Sequence, residues 1–216
     1  MNVGVYCDVD GTLTATTSVT PLLWYRRRRG QFTDRMWLAS LPLRAPVWMV
    51  RYRLNNAVGN RAIYSHYKGL NAVTVRADAE ACFEDCIRPR INQKIVDRLD
   101  ALKSSGARLV LVTGGIDFII RPLAEFLGCD LIAPGLIEVD GIFTGELTRE
   151  PLTGAGKAIE VRAHAAKHGI DLNASHAFGN EYADADMLGA VGHPVAVRPD
   201  SRLRRIALKN GWDIET

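Results

Sequence analysis

Apolar residues fall along this chain in short β-rich runs separated by longer stretches with helical spacing. The runs occupy residues 3–7, 108–113, 130–133, 175–178 and 194–197. Between most of them, apolar positions recur three and four residues apart, which predicts helices over 91–105, 117–127, 156–168, 183–188 and 201–209. Nearly continuous apolar strands alternating with amphipathic helices predict an α/β fold, a Rossmann-like, mostly parallel sheet with helices on both faces. The stretch "IEVDGIFTGEL" breaks the pattern. Its Asp140–Gly141 pair between two short alternating runs predicts a β-hairpin.

Between the first and second apolar runs lies a long segment with no strand signature. "TPLLWYRRRRG", "TDRMWLASLPLRAPVWMVRYRL", "RAIYSHYKGL" and "VRADAEACFEDCI" all carry helical patterns, with Pro42, Pro46 and Gly59 expected to interrupt them. The segment is too long for a simple crossover. It predicts an inserted all-helical cap over 15–88, on a core made of 1–14 and 89–216.

Composition narrows the class. A chain of 216 residues that is 47% hydrophobic can bury one sizeable core with a smaller module attached. The net charge of +3 is uneven, because residues 15–95 hold 14 Lys/Arg against 5 Asp/Glu. A basic segment facing an anionic partner, set on an acidic body, is the expectation. Cys7, Cys82, Cys86 and Cys129 form no CxxC pair and read as small apolar residues of a reducing compartment. The strand pattern begins by residue 3, so no leader is expected, and no uncharged run approaches the ~18 residues of a spanning helix. A cytoplasmic protein, conceivably peripheral to a membrane, is expected.

In an open α/β sheet, ligands gather beyond the carboxyl ends of the strands. The first run ends in "DVDGTLT", giving Asp8, Asp10, Gly11 and Thr12; two carboxylates at a strand end cost free energy unless something compensates them. The second ends in "LVTGG", giving Thr113, Gly114 and Gly115. The fourth run leads into "GNEYADADML", giving Asn180, Glu181 and Asp184, and Lys157 opens a helix behind the hairpin. Oxygen donors from Asp8, Asn180 and Asp184 suit a hard cation such as Mg²⁺. Lys157, Thr113 and the amides near Gly114 suit phosphate oxygens. A carboxylate so placed can attack phosphorus, and a second acid can serve the leaving oxygen.

In order, these four segments resemble the four signature motifs of the haloacid dehalogenase superfamily. The closer likeness is to its phosphoserine-phosphatase-like subclass, whose members carry a helical cap between the first two motifs. The resemblance implies a Mg²⁺-dependent phosphomonoester hydrolase acting on a small phosphorylated metabolite. It implies Asp8 as nucleophile, Asp10 as general acid/base, and Thr113 and Lys157 as partners of the phosphoryl group. Gly114, Gly115 and Thr12 would bind substrate, and Asp8, Asp10, Asn180 and Asp184 would hold the metal, Asp10 through its backbone carbonyl. An acid at position 10 favours a phosphatase over a dehalogenase. Asn180 stands where these phosphatases usually have Asp, which leaves a non-catalytic binding module of the same fold as one alternative.

Other chemistries fit less well. "TGAGKA" lacks the first Gly and the final Ser/Thr of a P-loop, no Gly-x-Ser-x-Gly elbow occurs, and His164/His168 reads as a helix-surface pair. In the cap, Trp24, Tyr25, Trp37, Trp48 and Tyr52 lie among Arg26–Arg29, Arg35, Arg44, Arg51 and Arg53. Either the aromatics form the core of a lid and the arginines face water, or the surface meets an anionic phospholipid and the enzyme acts on a lipid head group. No nucleic-acid module is present.

Overall fold

The computed structural model describes residues 2–54 and 56–216; the side chains of 51–54 and 56, which include Arg51, Tyr52 and Arg53 of the basic segment, fall outside the described residues. The strands are β1 (Gly4–Cys7), β2 (Arg108–Val112), β3 (Asp130–Ile132), β4 (Leu136–Val139), β5 (Ile142–Leu147), β6 (His176–Gly179), β7 (His193–Val197) and β8 (Asp213–Glu215). Six of them form one parallel sheet in the order β3-β2-β1-β6-β7-β8. The chain builds outward from β1 in one direction and then from β6 in the other. The gap between the ends of β1 and β6 is therefore the topological switch point, where open sheets of this kind bind ligands.

The strands alternate sides as their sequences require. Val5, Cys7, Leu109, Leu111, Phe178 and Val195 enter one buried cluster, while Tyr6, Val110, Val112, Ala177 and Ala196 enter a second. Among the described residues, the insert after β1 carries helices α1 (Val19–Arg29), α2 (Phe32–Ala39), α3 (Leu41–Leu54), α4 (Asn56–Tyr64), α5 (Ala72–Ala77) and α6 (Ala79–Cys82). Then come α7 (Gln93–Ser104), α8 (Asp117–Leu127), α9 (Ala155–His168), α10 (Ala185–Leu188) and α11 (Ser201–Asn210). Ile95 and Leu99 of α7 and Ile119 and Leu123 of α8 cover the first face of the sheet, and Val161 of α9 and Leu203 of α11 the second.

The first cluster runs without a break into the inserted helices through Leu22, Tyr25, Ile63 and Tyr67. Where the chain leaves the sheet and returns to it, the two strands of connection are tied: Ala15 N–H donates to the Arg90 carbonyl at 2.8 Å and Asn92 N–H to that of Leu13 at 2.8 Å. The expected hairpin forms as β4 and β5, with Asp140 and Gly141 both at positive φ. It also fastens the insert, because Phe143 exchanges backbone hydrogen bonds with the Gly69–Leu70 segment.

Some of these expectations change. Pro46 lies inside α3 and Gly59 inside α4, so neither ends a helix. Pro42 sits at the second position of α3, where a missing N–H costs nothing. At Pro46 one helical bond is given up, and Trp48, buried a half-turn on, anchors the stretch. Strand β8 carries no apolar run; its acids are held at the sheet edge by Lys94 and Arg98 of α7, which pair with Glu215. His164 is not a surface residue: its side chain is largely buried, with Nδ1 3.2 Å from the Tyr6 hydroxyl and Nε2 facing Asp130. All four cysteines are free thiols. Among the described residues, no helix is long and apolar enough to cross a membrane.

Candidate active site

At the switch point, the chain turns sharply after β1. Asp8 N–H still donates to the Phe178 carbonyl of β6 at 2.9 Å, which extends the parallel pairing by one residue and aims the Asp8 side chain off the sheet end. Gly11 then takes φ +86°, and a Cβ there would lie 2.2 Å from Asn180 Nδ2. Only glycine permits this approach of the first loop to the fourth.

Asp8, Lys157 and Asp184 form a buried triangle. Lys157 Nζ donates to Asp8 Oδ1 at 2.5 Å and to Asp184 Oδ1 at 2.7 Å, and each of the three side chains is at most 7% exposed. Lys157 lies in the first turn of α9, and Gly154, just before that helix, donates its N–H to the Ala183 carbonyl. That bond docks the lysine-bearing helix onto the loop carrying Asp184. The second oxygen of Asp184 accepts from the backbone N–H groups of Asn180 (3.0 Å) and Glu181 (3.1 Å). The Thr12 hydroxyl stands 2.9 Å from Asp8 Oδ2 and 3.1 Å from Asn180 Oδ1.

Asp10 sits two residues on, partly buried. Its oxygens accept from Thr16 Oγ1 at 2.9 Å and Ser18 Oγ at 3.4 Å, which fixes the plane of the carboxyl. Thr113 follows β2, and its Oγ1 accepts from Gly115 N–H at 2.9 Å, shaping the turn into α8. Gly114 is held by Tyr64 of α4, whose hydroxyl donates to its carbonyl at 2.7 Å.

Asp8, Asp10, Thr113, Gly114, Lys157, Asn180 and Asp184 thus line one small polar cavity of about 40 Å³. Two other residues expected at the site do not reach it. Thr12 is fully buried and turned toward Asp8, while Gly115 lies beyond Asp10 beside a separate narrow crevice. Ser18 and Asn60 were not among the sequence candidates, yet both line the cavity. Ser18 arrives from the loop before α1 and Asn60 from α4, where a lone Asn gives no sequence signal. Thr16 and Ser18 fall in the hydroxyl-rich "TATTS" just after Gly11–Leu13, a hint that was there to be read.

Charge is out of balance in this cavity. Among the described residues, the carboxylates of Asp8, Asp10 and Asp184 line it with the ammonium of Lys157, and Glu181 stands at its edge. Burial pushes the Asp8 carboxyl up to about 7; Lys157 pulls it back, and Asp184 and Asp10 push it further. Burial likewise raises Asp10, opposed by the Thr16 hydrogen bond. Burial alone would lower Lys157, but Asp184 and Asp8 outweigh it and carry the ammonium above its ordinary value. Surplus buried negative charge on hard oxygen donors is the chemistry a divalent cation satisfies. Among the described residues no three His, Cys, Asp or Glu side chains already converge as a cage. The reason is local: Lys157 stands between Asp8 and Asp184, and the remaining donors are an amide, Asn180, and the Asp10 backbone carbonyl.

Comparison with known proteins places this geometry. The family model described as haloacid dehalogenase-like hydrolase matches residues 5–189. The chain belongs to the haloacid dehalogenase-like hydrolases, and within them it is a phosphatase. It is 30% identical over 217 residues to phosphoserine phosphatase SerB1 of Mycobacterium tuberculosis, covering 99% of this chain and 70% of that one. A crystal structure of a protein with unknown function from Bordetella pertussis Tohama I superposes with a TM-score of 0.85 at 26% identity, covering 100% of this chain and 99% of that one. A phosphoserine phosphatase in apo form shares the fold, with a TM-score of 0.69 at 21% identity over 99% of this chain and 92% of that one. Phosphatases of this family generally use Mg²⁺. These relatives support an enzyme over the non-catalytic module that Asn180 leaves open, and nothing in them supports docking on a phospholipid surface.

Proposed function

We propose that this phosphatase hydrolyses small phosphate monoesters with Mg²⁺ through an aspartyl-phosphate on Asp8. The observation that carries the reading is the buried Asp8–Lys157–Asp184 triangle, set 2.5 and 2.7 Å about one ammonium, with Asp10 beside it at the switch point. Asp8, the Asp10 carbonyl and Asn180 would hold the cation. Asp184, whose oxygens already accept from Lys157 and two backbone amides, serves mainly to hold Lys157. The bound metal supplies charge neutralisation for the phosphoryl oxygens.

In the first step an Asp8 oxygen attacks phosphorus and the P–O ester bond breaks. Asp10 gives its proton to the departing alkoxide, which leaves as an alcohol. Burial, which raises Asp10 above the ordinary carboxylate value, favours the protonated form that this step uses. In the second step Asp10, now ionised, takes a proton from water as the water oxygen attacks phosphorus. The bond to Asp8 breaks and inorganic phosphate is released. Lys157 stays charged throughout and offsets the phosphoryl group and Asp8, while Thr113 donates to a phosphoryl oxygen. Thr16 and Ser18 hold Asp10 in line with the leaving oxygen.

Helices α1 to α6 act as the cap. Its aromatics serve the lid reading: Trp37 and Trp48 pack on His66, Arg26 stacks over Trp37, and Arg26 and Arg29 pair with the buried Asp34. Phosphate release from a panel of amino-acid, sugar, nucleotide and lipid phosphates, with Mg²⁺ and with EDTA, tests the reading. Turnover that requires Mg²⁺ and is lost in Asp8→Asn supports it; turnover in Asp8→Asn at the wild-type rate overturns it.

A further inference from the structure

The polar cavity is not the only opening at the sheet end. A second cleft of about 500 Å³ shares Asp10, Ser18, Asn180 and Glu181 with it and extends away from Asp8 beneath the cap. Its size falls within the ~300–1,000 Å³ of small-molecule sites. Away from Asp10, Thr16, Thr17, Ser18, Asn180 and Glu181 its walls are apolar. Val19 and Leu23 come from α1, Leu41, Ala45, Trp48 and Met49 from α3, and Ile63 from α4. Among the described residues that line it there is no lysine, arginine or histidine, and the ionisable groups are two acids, Asp10 and Glu181, both on the border with the polar cavity.

Four of the cap's described cations are engaged elsewhere. Arg26 and Arg29 hold Asp34, Arg61 pairs with Glu150, and Arg44 donates to Ser40. On the opposite side of Asp10 the crevice beside Gly115 is only about 10 Å³. Among the described residues, the roomier of these two exits for the leaving group of a phosphoryl ester centred between Asp8 and Asp10 is the apolar cleft.

From this we infer that the substrate is a phosphate monoester whose leaving group is a bulky, uncharged apolar alcohol, seated against Leu23, Ala45, Trp48 and Met49. The inference rests on the phosphatase reading above and adds the substrate class. A leaving group bearing its own carboxylate, as an amino-acid phosphate does, would enter a cleft that offers two acids and, among the described residues, no cation to receive it. An alkyl or aryl group would displace water from apolar walls instead.

The test uses the whole chain with Mg²⁺ and a series of ethyl, butyl, hexyl and octyl phosphates below micelle-forming concentrations, with phosphoserine alongside. The expected result is a gain in kcat/KM of about two- to fourfold per added methylene, fourfold being what ~0.8 kcal/mol per buried CH₂ gives. Octyl phosphate should also exceed phosphoserine. Ala45→Glu, an exposed position on α3 that puts a carboxylate on the cleft wall, should flatten that dependence on chain length. Calorimetric binding of octylphosphonate against ethylphosphonate reads the cleft without turnover, and a tighter octyl compound is expected by at least about sixtyfold. Hydrolysis with no chain-length gain, or with phosphoserine preferred, overturns the inference and leaves the phosphatase reading standing. Phosphonate discrimination without hydrolysis of any ester overturns the phosphatase reading, and the substrate class with it, and leaves only the cleft's preference for an apolar chain. Equal binding of the two phosphonates overturns the cleft assignment outright.

Discussion

Replacing Lys157 by methionine removes the ammonium that stands between two buried carboxylates. In the wild-type protein its Nζ donates to both, at 2.5 and 2.7 Å, and the three side chains are nearly closed to water, at 6%, 7% and 3% exposure. Methionine fills similar space but leaves Asp8 and Asp184 facing each other uncompensated. Removing one partner of a buried ion pair costs about 3–5 kcal/mol. For a chain of this size, with ~2–4 °C of midpoint per kcal/mol, that predicts a fall in melting temperature of roughly 6–20 °C.

The cost also depends on pH, with a definite sign. In the variant the stranded pair holds a proton to higher pH than the wild-type pair does, because nothing positive stabilises its ionised form. The folded variant then binds more protons than the folded wild type, so the stability gap between them widens as pH rises. Thermal melts followed by circular dichroism in EDTA at pH 5, 6, 7 and 8 measure it. A midpoint shift below about 2 °C that is the same at pH 5 and pH 8 would refute the claim that Lys157 neutralises buried charge.

Other consequences concern the loops and the cap. Asn180→Asp adds a charged oxygen where a neutral amide now faces the cavity, and the Mg²⁺ concentration for half-maximal phosphate release should fall by roughly tenfold. Gly11→Ala forces a Cβ to 2.2 Å from Asn180 Nδ2 at a φ of +86°, so urea unfolding should show a loss of about 2 kcal/mol or more. His66 is lowered by burial first and then by Arg44 and Arg26, and its Nδ1 accepts from the Trp37 indole N–H at 3.3 Å. Its folded value lies below the unfolded ~6.5, so the unfolded state binds the proton first and stability falls as pH drops from about 6.5 through the folded value. Tryptophan fluorescence from the cap should change over that window, and His66→Gln should remove that part of the change.

Much of the catalytic end was legible because its chemistry is compact in sequence. Asp8, Asp10 and Gly11 are adjacent, and the carboxyl end of a parallel strand has one obvious direction to face. Lys157 was legible only through the order of the four segments, since nothing local to "TGAGKA" marks it. Asn60 was not legible, because it reaches the cavity only when α4 folds back over the sheet, whereas Ser18 was hinted at by the hydroxyl-rich stretch after Gly11–Leu13. The same tertiary packing overrides local rules in the cap, where Pro46 and Gly59 lie within helices. Strand β8 escaped notice for the opposite reason: its Asp213 and Glu215 are held by Lys94 and Arg98 across the sheet edge, so no hydrophobic pattern announces it. The cleft beside Asp10 is written across α1, α3 and α4, three helices whose individual patterns say only that something is buried.

The central claim is that Asp8 carries the phosphoryl group as an acyl phosphate. Quenching the enzyme during turnover of a monoester and reducing it with borohydride converts an aspartyl-phosphate to homoserine, which peptide mass spectrometry locates. Homoserine at position 8, present only with substrate and absent from Asp8→Asn, is the predicted result. Steady turnover with no modification at position 8, or with the phosphoryl group trapped on another residue, would contradict it.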